Sequence, residues 1–267
     1  MRNVNPLVFA YLRVVGSAIV LNLIVHDRAT LTRRDGWQLA GFAALAIVIN
    51  QTFFLSGLAL TSAHVAAILI TTLPVFVLGA SIALGRERAT AAKIGGIALA
   101  AAGALLVVGG EGFAGATKSL LGDLLIIGNS LAYGLYLVLS KPMMVRLSAR
   151  RVVARMFAIA TVMMIPIAAW PLATERWSAI PPSVWVALVL VILGPTVGAY
   201  LLNAWALGHA DSSLVAAYTY LQPVLTTILA AIYLGEVMRP IVIAAAAMIF
   251  AGVYLASQPP STAMTAP

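Results

Sequence analysis

The chain has 267 residues, 62% of them apolar and only 9% charged, with a net charge of +8 and a mean hydropathy of +1.03. A soluble domain carries roughly 25% charged residues, so this chain cannot cover a folded surface in water. The positive balance reads as membrane topology rather than nucleic-acid binding; there is no cysteine for disulfides, thiolate catalysis or metal ligation, and His26, His64 and His209 are too scattered to share a metal.

Apolar runs near the length that crosses about 30 Å of hydrocarbon recur from end to end. In chain order they predict segments A (7–25), B (37–58), C (63–84), D (92–109), E (121–140), F (152–171), G (184–207), H (213–234) and I (240–256). The N-terminus lacks a cleavable signal pattern, because 6–25 is too long an apolar run and contains Arg13. Connections are short, and the longest, 110–122, divides the chain into a first unit (1–110) and a second (118–257). The polar tail 258–267 is expected to be disordered.

Lys and Arg alternate by loop. The A–B loop holds Arg28, Arg33 and Arg34; the C–D region Arg86, Arg88 and Lys93; the E–F region Lys141, Arg146, Arg150, Arg151 and Arg155. That side totals 11, against 4 on the other (Arg2, Lys118, Arg176 and Arg239). The basic loops and the C-terminus are therefore expected in the cytoplasm and the N-terminus outside.

Residues 58–87 recur as 207–236 at a constant shift of 149, which puts Pro74 on Pro223, Glu87 on Glu236 and Gly103 on Gly252. The same shift lays F, G, H and I on A, B, C and D, and leaves E without a counterpart after Met1. Five-helix units joined in series insert with opposite orientations, since five is odd. The expected fold is an all-α integral membrane protein of nine spans in two inverted repeats, four helices plus five, a construction common among secondary transporters.

Ser62-Ala63-His64-Val65-Ala66-Ala67, Leu73-Pro74-Val75 and Gly85-Arg86-Glu87 are echoed by Ser212-Ser213-Leu214-Val215-Ala216-Ala217, Leu221-Gln222-Pro223-Val224 and Leu234-Gly235-Glu236. With the glycine-spaced segment around Gly95, Gly103 and Leu105-Leu106, the opening PLVFAYLR and the stretches Gly122-Asp123-Leu124 and 130–136, this order resembles the EamA-type transporters of the drug/metabolite transporter superfamily. The resemblance implies two EamA repeats, the first lacking the opening helix of the ten-helix pattern, and small-molecule export across a bacterial inner membrane. A start codon placed too late, a natural nine-helix form and a degraded copy are the readings of that departure.

Arg13 is the cation well inside a predicted span, which makes it a functional candidate able to attract an anionic group; the alternative is snorkelling to the outer interface. Asn129, Tyr133 and Tyr136 share one face of E. Tyr200 and Asn203 on G, Tyr218 and Gln222 on H, Asn50 and Gln51 on B, and Thr71 and Thr72 on C complete a polar set that should face the bundle interior. Together they predict the lining of a polar, aromatic substrate cavity; taken singly, each could equally be an interhelical hydrogen bond. Pro74 and Pro223 are expected to kink their helices as paired hinges, and Gly95, Gly96, Gly103, Ala245 and Gly252 to allow close helix packing. Glu87 is expected to be solvated or ion-paired, and Asp123 to favour the start of E.

The sequence thus predicts a secondary-type transporter exporting small metabolites, either amino acids or amphipathic organic compounds, by alternating access. The alternatives are a truncated, inactive or partner-dependent fragment and, remotely, a membrane-embedded enzyme, for which no nucleophile–base or metal constellation is visible. No cofactor is called for. The expected partners are a small-molecule substrate and the lipid bilayer, with homodimerisation open and nucleic acid excluded.

Overall fold

Helix α1, Pro6–Ile24, begins where the sequence supplies a cap and a proline. The Asn5 side chain accepts from the Leu7 N–H at 2.9 Å, and Pro6 occupies the first turn, where a missing N–H costs nothing. Helix α2, Arg33–Leu60, opens on a capping box between Thr32 and Asp35. There follow α3 (Ala63–Ile70), α4 (Leu73–Ala83), α5 (Ala91–Gly109), α6 (Leu120–Leu147) and α7 (Ala149–Thr174). The chain continues as α8 (Pro182–His209), α9 (Ser212–Ala217), α10 (Leu221–Leu234) and α11 (Pro240–Ser257).

The computed structural model describes residues 4–25, 31–61, 63–109, 120–234 and 240–258; the side chains of His64 and Pro223 are outside that description. Also outside the described residues are Arg2, His26, Arg28, Ser62, Lys118, Glu236, Arg239 and the tail beyond Gln258. Among the described residues every regular element is helical. Five helices there, α1, α2, α6, α7 and α8, are long and apolar enough to cross a membrane, whereas α4 and the apolar parts of α5 and α11 are shorter.

The shift of 149 carries α2 onto α8 and the starts of α3 and α5 onto those of α9 and α11. It also superposes two irregularities that hydrophobicity did not reveal. A π-helical turn interrupts α2 at Ala44–Ile49 and α8 at Ile192–Gly198. Each inserts extra backbone into the helical ladder and frees carbonyls from their usual partners. The next spans break at matching places, by a turn at Thr71 and Thr72 and by a 3-10 turn at Tyr218–Tyr220. Pro74 and Pro223 therefore do not kink a continuous helix, as the sequence suggested. The Pro74 ring would clash with the turn before it, so the first span breaks there and Pro74 opens α4; Pro223 likewise falls in the opening turn of α10.

Like packs on like: α1 against α7, and α5 against α11. The α5–α11 seam is a backbone contact. A Cβ on Gly96 would lie 2.5 Å from Gly252 O and 2.6 Å from Ala256 N. A Cβ on Gly252 would lie 2.5 Å from Gly96 O and 2.6 Å from Ala100 N. Under the shift the Gly96–Gly252 contact becomes Ala245–Gly103, and a Cβ on Gly103 would indeed lie 2.8 Å from Ala245 O. The seam thus has local two-fold symmetry. Gly95, expected in it, has nothing within 4 Å of its Cβ position and faces outward, because one residue along a helix turns the side chain by about 100°.

Candidate functional site

The two repeats line an open cavity of about 410 Å³. From the first come Arg13 on α1 and Asn50, Gln51, Phe54 and Leu55 on α2, with Ile70 and Leu73 flanking the α3–α4 break. From the second come Asn129, Ser130 and Tyr133 on α6, Pro195, Ala199, Tyr200 and Asn203 on α8, and Thr219 and Gln222 at the α9–α10 break. Both breaks and the α8 π turn reach the lining, so part of the irregular backbone lies against the cavity. Exposed carbonyls at membrane depth are tolerated only in such places.

Hydrogen bonds position the wall. Asn129 Nδ2 donates to the Asn50 carbonyl at 2.7 Å, just past the π turn of α2. The Tyr200 hydroxyl donates at 2.8 Å to the carbonyl of Ala46, inside that turn. Asn203 Nδ2 donates to the Tyr133 hydroxyl at 3.2 Å. The Tyr133 and Tyr200 rings meet edge to face at 6.4 Å, and Phe157 packs on Tyr200 at 4.9 Å. The π turn of α2 therefore does local work: its Ala46 carbonyl ties α8 to α2, and the Asn50 carbonyl just past it ties α6. Three lining polar atoms are buried without a hydrogen-bond partner among the described residues: Arg13 Nε, Ser130 Oγ and Asn203 Oδ1.

Eight of the sequence candidates meet here: Arg13, Asn50, Gln51, Asn129, Tyr133, Tyr200, Asn203 and Gln222. Four are not brought to the cavity. Tyr136 is fully buried behind its wall, against Tyr133 at 5.4 Å and Phe42 at 6.5 Å. Tyr218 points outward, 54% exposed, into a separate groove with Trp205 and His209. Thr72 spends its hydroxyl on the Leu69 carbonyl at 2.6 Å, satisfying the broken helix end, and Thr71 belongs to the same turn. Sequence reasoning missed Ser130, Thr219 and the apolar lining. Ser130 was recoverable as the neighbour of Asn129; the apolar residues carry no signal that separates them from lipid-facing ones.

At one end of the bundle the repeats are joined by charge. Glu87, expected to be ion-paired or solvated, is ion-paired and buried: its side chain is 3% exposed and lies 2.9 Å from Lys93 Nζ. The backbone N–H of Ser213, in the first turn of α9, donates to Glu87 at 3.1 Å, and the Ser213 hydroxyl donates to the same carboxylate. Lys93 also pairs with Asp211, which Lys141 approaches at 3.4 Å. Arg86 donates to the Val138 carbonyl, and Arg146 pairs with Asp35 at the same end. Burial pushes the Asp211 carboxyl up, but its bonds and charge contacts with Lys93, then Lys141, hold it below the ordinary aspartate value. At the other end the Asn5 N–H donates to Glu175 at 2.9 Å.

Comparison with known proteins gives a family. Residues 1–109 and 120–258 match the EamA-like transporter family. An uncharacterized transporter of Archaeoglobus fulgidus is 30% identical over 261 residues, covering 96% of this chain and 89% of that protein. A probable terminal-alkyne amino-acid exporter of Streptantibioticus cattleyicolor is 28% identical over 216 residues, covering 80% and 69%. A solved crystal structure superposes with a TM-score of 0.80 at 20% identity, covering 95% of this chain and 89% of that one, and supports the fold alone.

Proposed function

The chain belongs to the EamA-like transporter family and is a multi-pass membrane protein; from this we propose that it exports small metabolites across a bacterial inner membrane by alternating access. The observation that carries the reading is the cavity at the junction of the two repeats, to which each contributes a helix break and polar side chains. In this reading the repeats rock about the cavity, and the half-helices opened by Pro74 and Pro223 act as the hinges.

The end bearing Glu87, Lys93, Asp211 and Lys141 faces the cytoplasm, in keeping with the Lys and Arg count of the loops. When the cavity faces outward this cluster is the closed gate; when it faces inward, Glu87 parts from Ser213 and Lys93 from Asp211. The relative named a probable terminal-alkyne amino-acid exporter supports small organic metabolites as the cargo class.

The test is counterflow in proteoliposomes preloaded with candidate metabolites. Accumulation of a labelled metabolite that depends on the protein and on the unlabelled internal pool supports the reading. Absence of counterflow for amino acids, amides, amines and amphipathic drugs alike overturns it.

A further inference from the structure

The charges of the cavity narrow what it can hold. Among the described residues Arg13 is the one charged group in the lining, no Asp or Glu lines it, and none of the ion pairs involves Arg13. Its Nε is buried without a hydrogen-bond partner. A guanidinium at membrane depth with no counter-charge is costly, and such a group persists where something supplies the missing charge. The rest of the polar lining is neutral: the amides of Asn50, Gln51, Asn129, Asn203 and Gln222, and hydroxyls.

We propose that the cargo is a small organic molecule carrying a carboxylate, either an anion or a zwitterion, with the carboxylate on Arg13. This rests on the transporter reading above and specifies the substrate class of the same cavity. The guanidinium fork matches the two oxygens of a carboxylate in a planar, bidentate geometry. The unpartnered Asn203 Oδ1 is an acceptor and the unpartnered Ser130 hydroxyl can donate or accept, which suits a neighbouring ammonium or hydroxyl of the cargo. The edge-to-face pair Tyr133 and Tyr200 offers an apolar wall for its side chain. A lipophilic cation without a carboxylate finds no counter-charge in the lining and meets repulsion from Arg13. The volume of about 410 Å³ lies toward the small end of ligand pockets, which suits a small cargo.

The experiment uses the full chain in proteoliposomes with matched probes: an amino-acid panel, the corresponding amides, the decarboxylated amines, and tetraphenylphosphonium as a lipophilic cation. Wild type is expected to bind and exchange at least one carboxylate at least tenfold better than its amide or amine, and to ignore the cation. Arg13→Gln should lose carboxylate binding by roughly tenfold to a hundredfold, and Arg13→Lys, which keeps the charge without the fork, should fall between. Each variant is checked for folding by its elution profile and melting midpoint, and the amide and cation arms on wild type do not depend on any variant.

Equal transport of a carboxylate and its amide, transport of the cation, or wild-type carboxylate affinity in a folded Arg13→Gln protein overturns the assignment while leaving the exporter reading in place. Failure of wild type to move any probe of any charge overturns both.

Discussion

Replacing Gly96 with Ala would add one methyl where backbone stands 2.5 and 2.6 Å away, on Gly252 O and Ala256 N. Neither atom is the end of a flexible side chain, so α5 and α11 must move apart along their seam. Overpacking of this kind costs about 1–3 kcal/mol. Against it, exchanging glycine for alanine inside a helix gains about 0.8–1.0 kcal/mol of propensity. Gly95→Ala isolates the second effect, because nothing lies within 4 Å of that Cβ position. The two neighbouring substitutions, chemically identical, should therefore separate by the overpacking cost alone, about 1–3 kcal/mol, with Gly95→Ala neutral or stabilising and Gly96→Ala destabilising. The assay is thermal unfolding in detergent, followed by the fraction remaining monodisperse. Gly252→Ala should behave as Gly96→Ala does, and the double variant should cost less than the sum, since one separation of the helices relieves both contacts. A Gly96→Ala protein as stable as Gly95→Ala would refute the close backbone seam.

Glu87→Gln should loosen the basic end: with a single reporter at Ser212→Cys in this cysteine-free chain, thiol labelling should speed up by at least about tenfold, because a buried ion pair loses one partner. Asp211→Asn should lower the melting midpoint at neutral pH. The Asp211 carboxyl is held below its ordinary value near 3.8, so its contribution is present above that pH and disappears as pH falls through the depressed value; wild type and variant should converge there. With the side chain 46% exposed, the difference at neutral pH should be about 1 kcal/mol or less. Tyr133→Ala should impair counterflow, whereas Tyr218→Ala, outside the cavity, should leave it near wild type.

Much of the architecture was legible because the repeat pairs rare residues, Pro74 with Pro223 and Glu87 with Glu236, inside otherwise uniform apolar text. The π turns were not. One extra residue in a run such as ALAIVI changes no hydrophobic period, since every neighbour is already apolar. Pro195 within the second turn was a cue, and its counterpart by the shift is Ala46, whose freed carbonyl binds Tyr200. Eight cavity residues were legible for one reason: polar groups in apolar spans turn inward. Tyr136 obeyed the rule but stopped one layer behind the wall, where i+3 spacing does not distinguish depth from lining. Tyr218 escaped it, since a phenol can face lipid and keep its hydroxyl toward a polar edge. Thr71 and Thr72 went to the helix break, whose free carbonyls compete for nearby hydroxyls. Glu87 was read as a terminal charge, and its burial depends on Ser213, 126 residues away, which no local pattern announces.

The proposed transport cycle requires one cavity to serve both sides of the membrane in turn. With no native cysteine to interfere, Leu55→Cys places a lone thiol in the lining, in reach of membrane-impermeant reagents applied to either face of oriented vesicles. Labelling from both faces during exchange, and protection by a transported carboxylate, are expected. Labelling from a single face under every condition, with exchange intact, would contradict it.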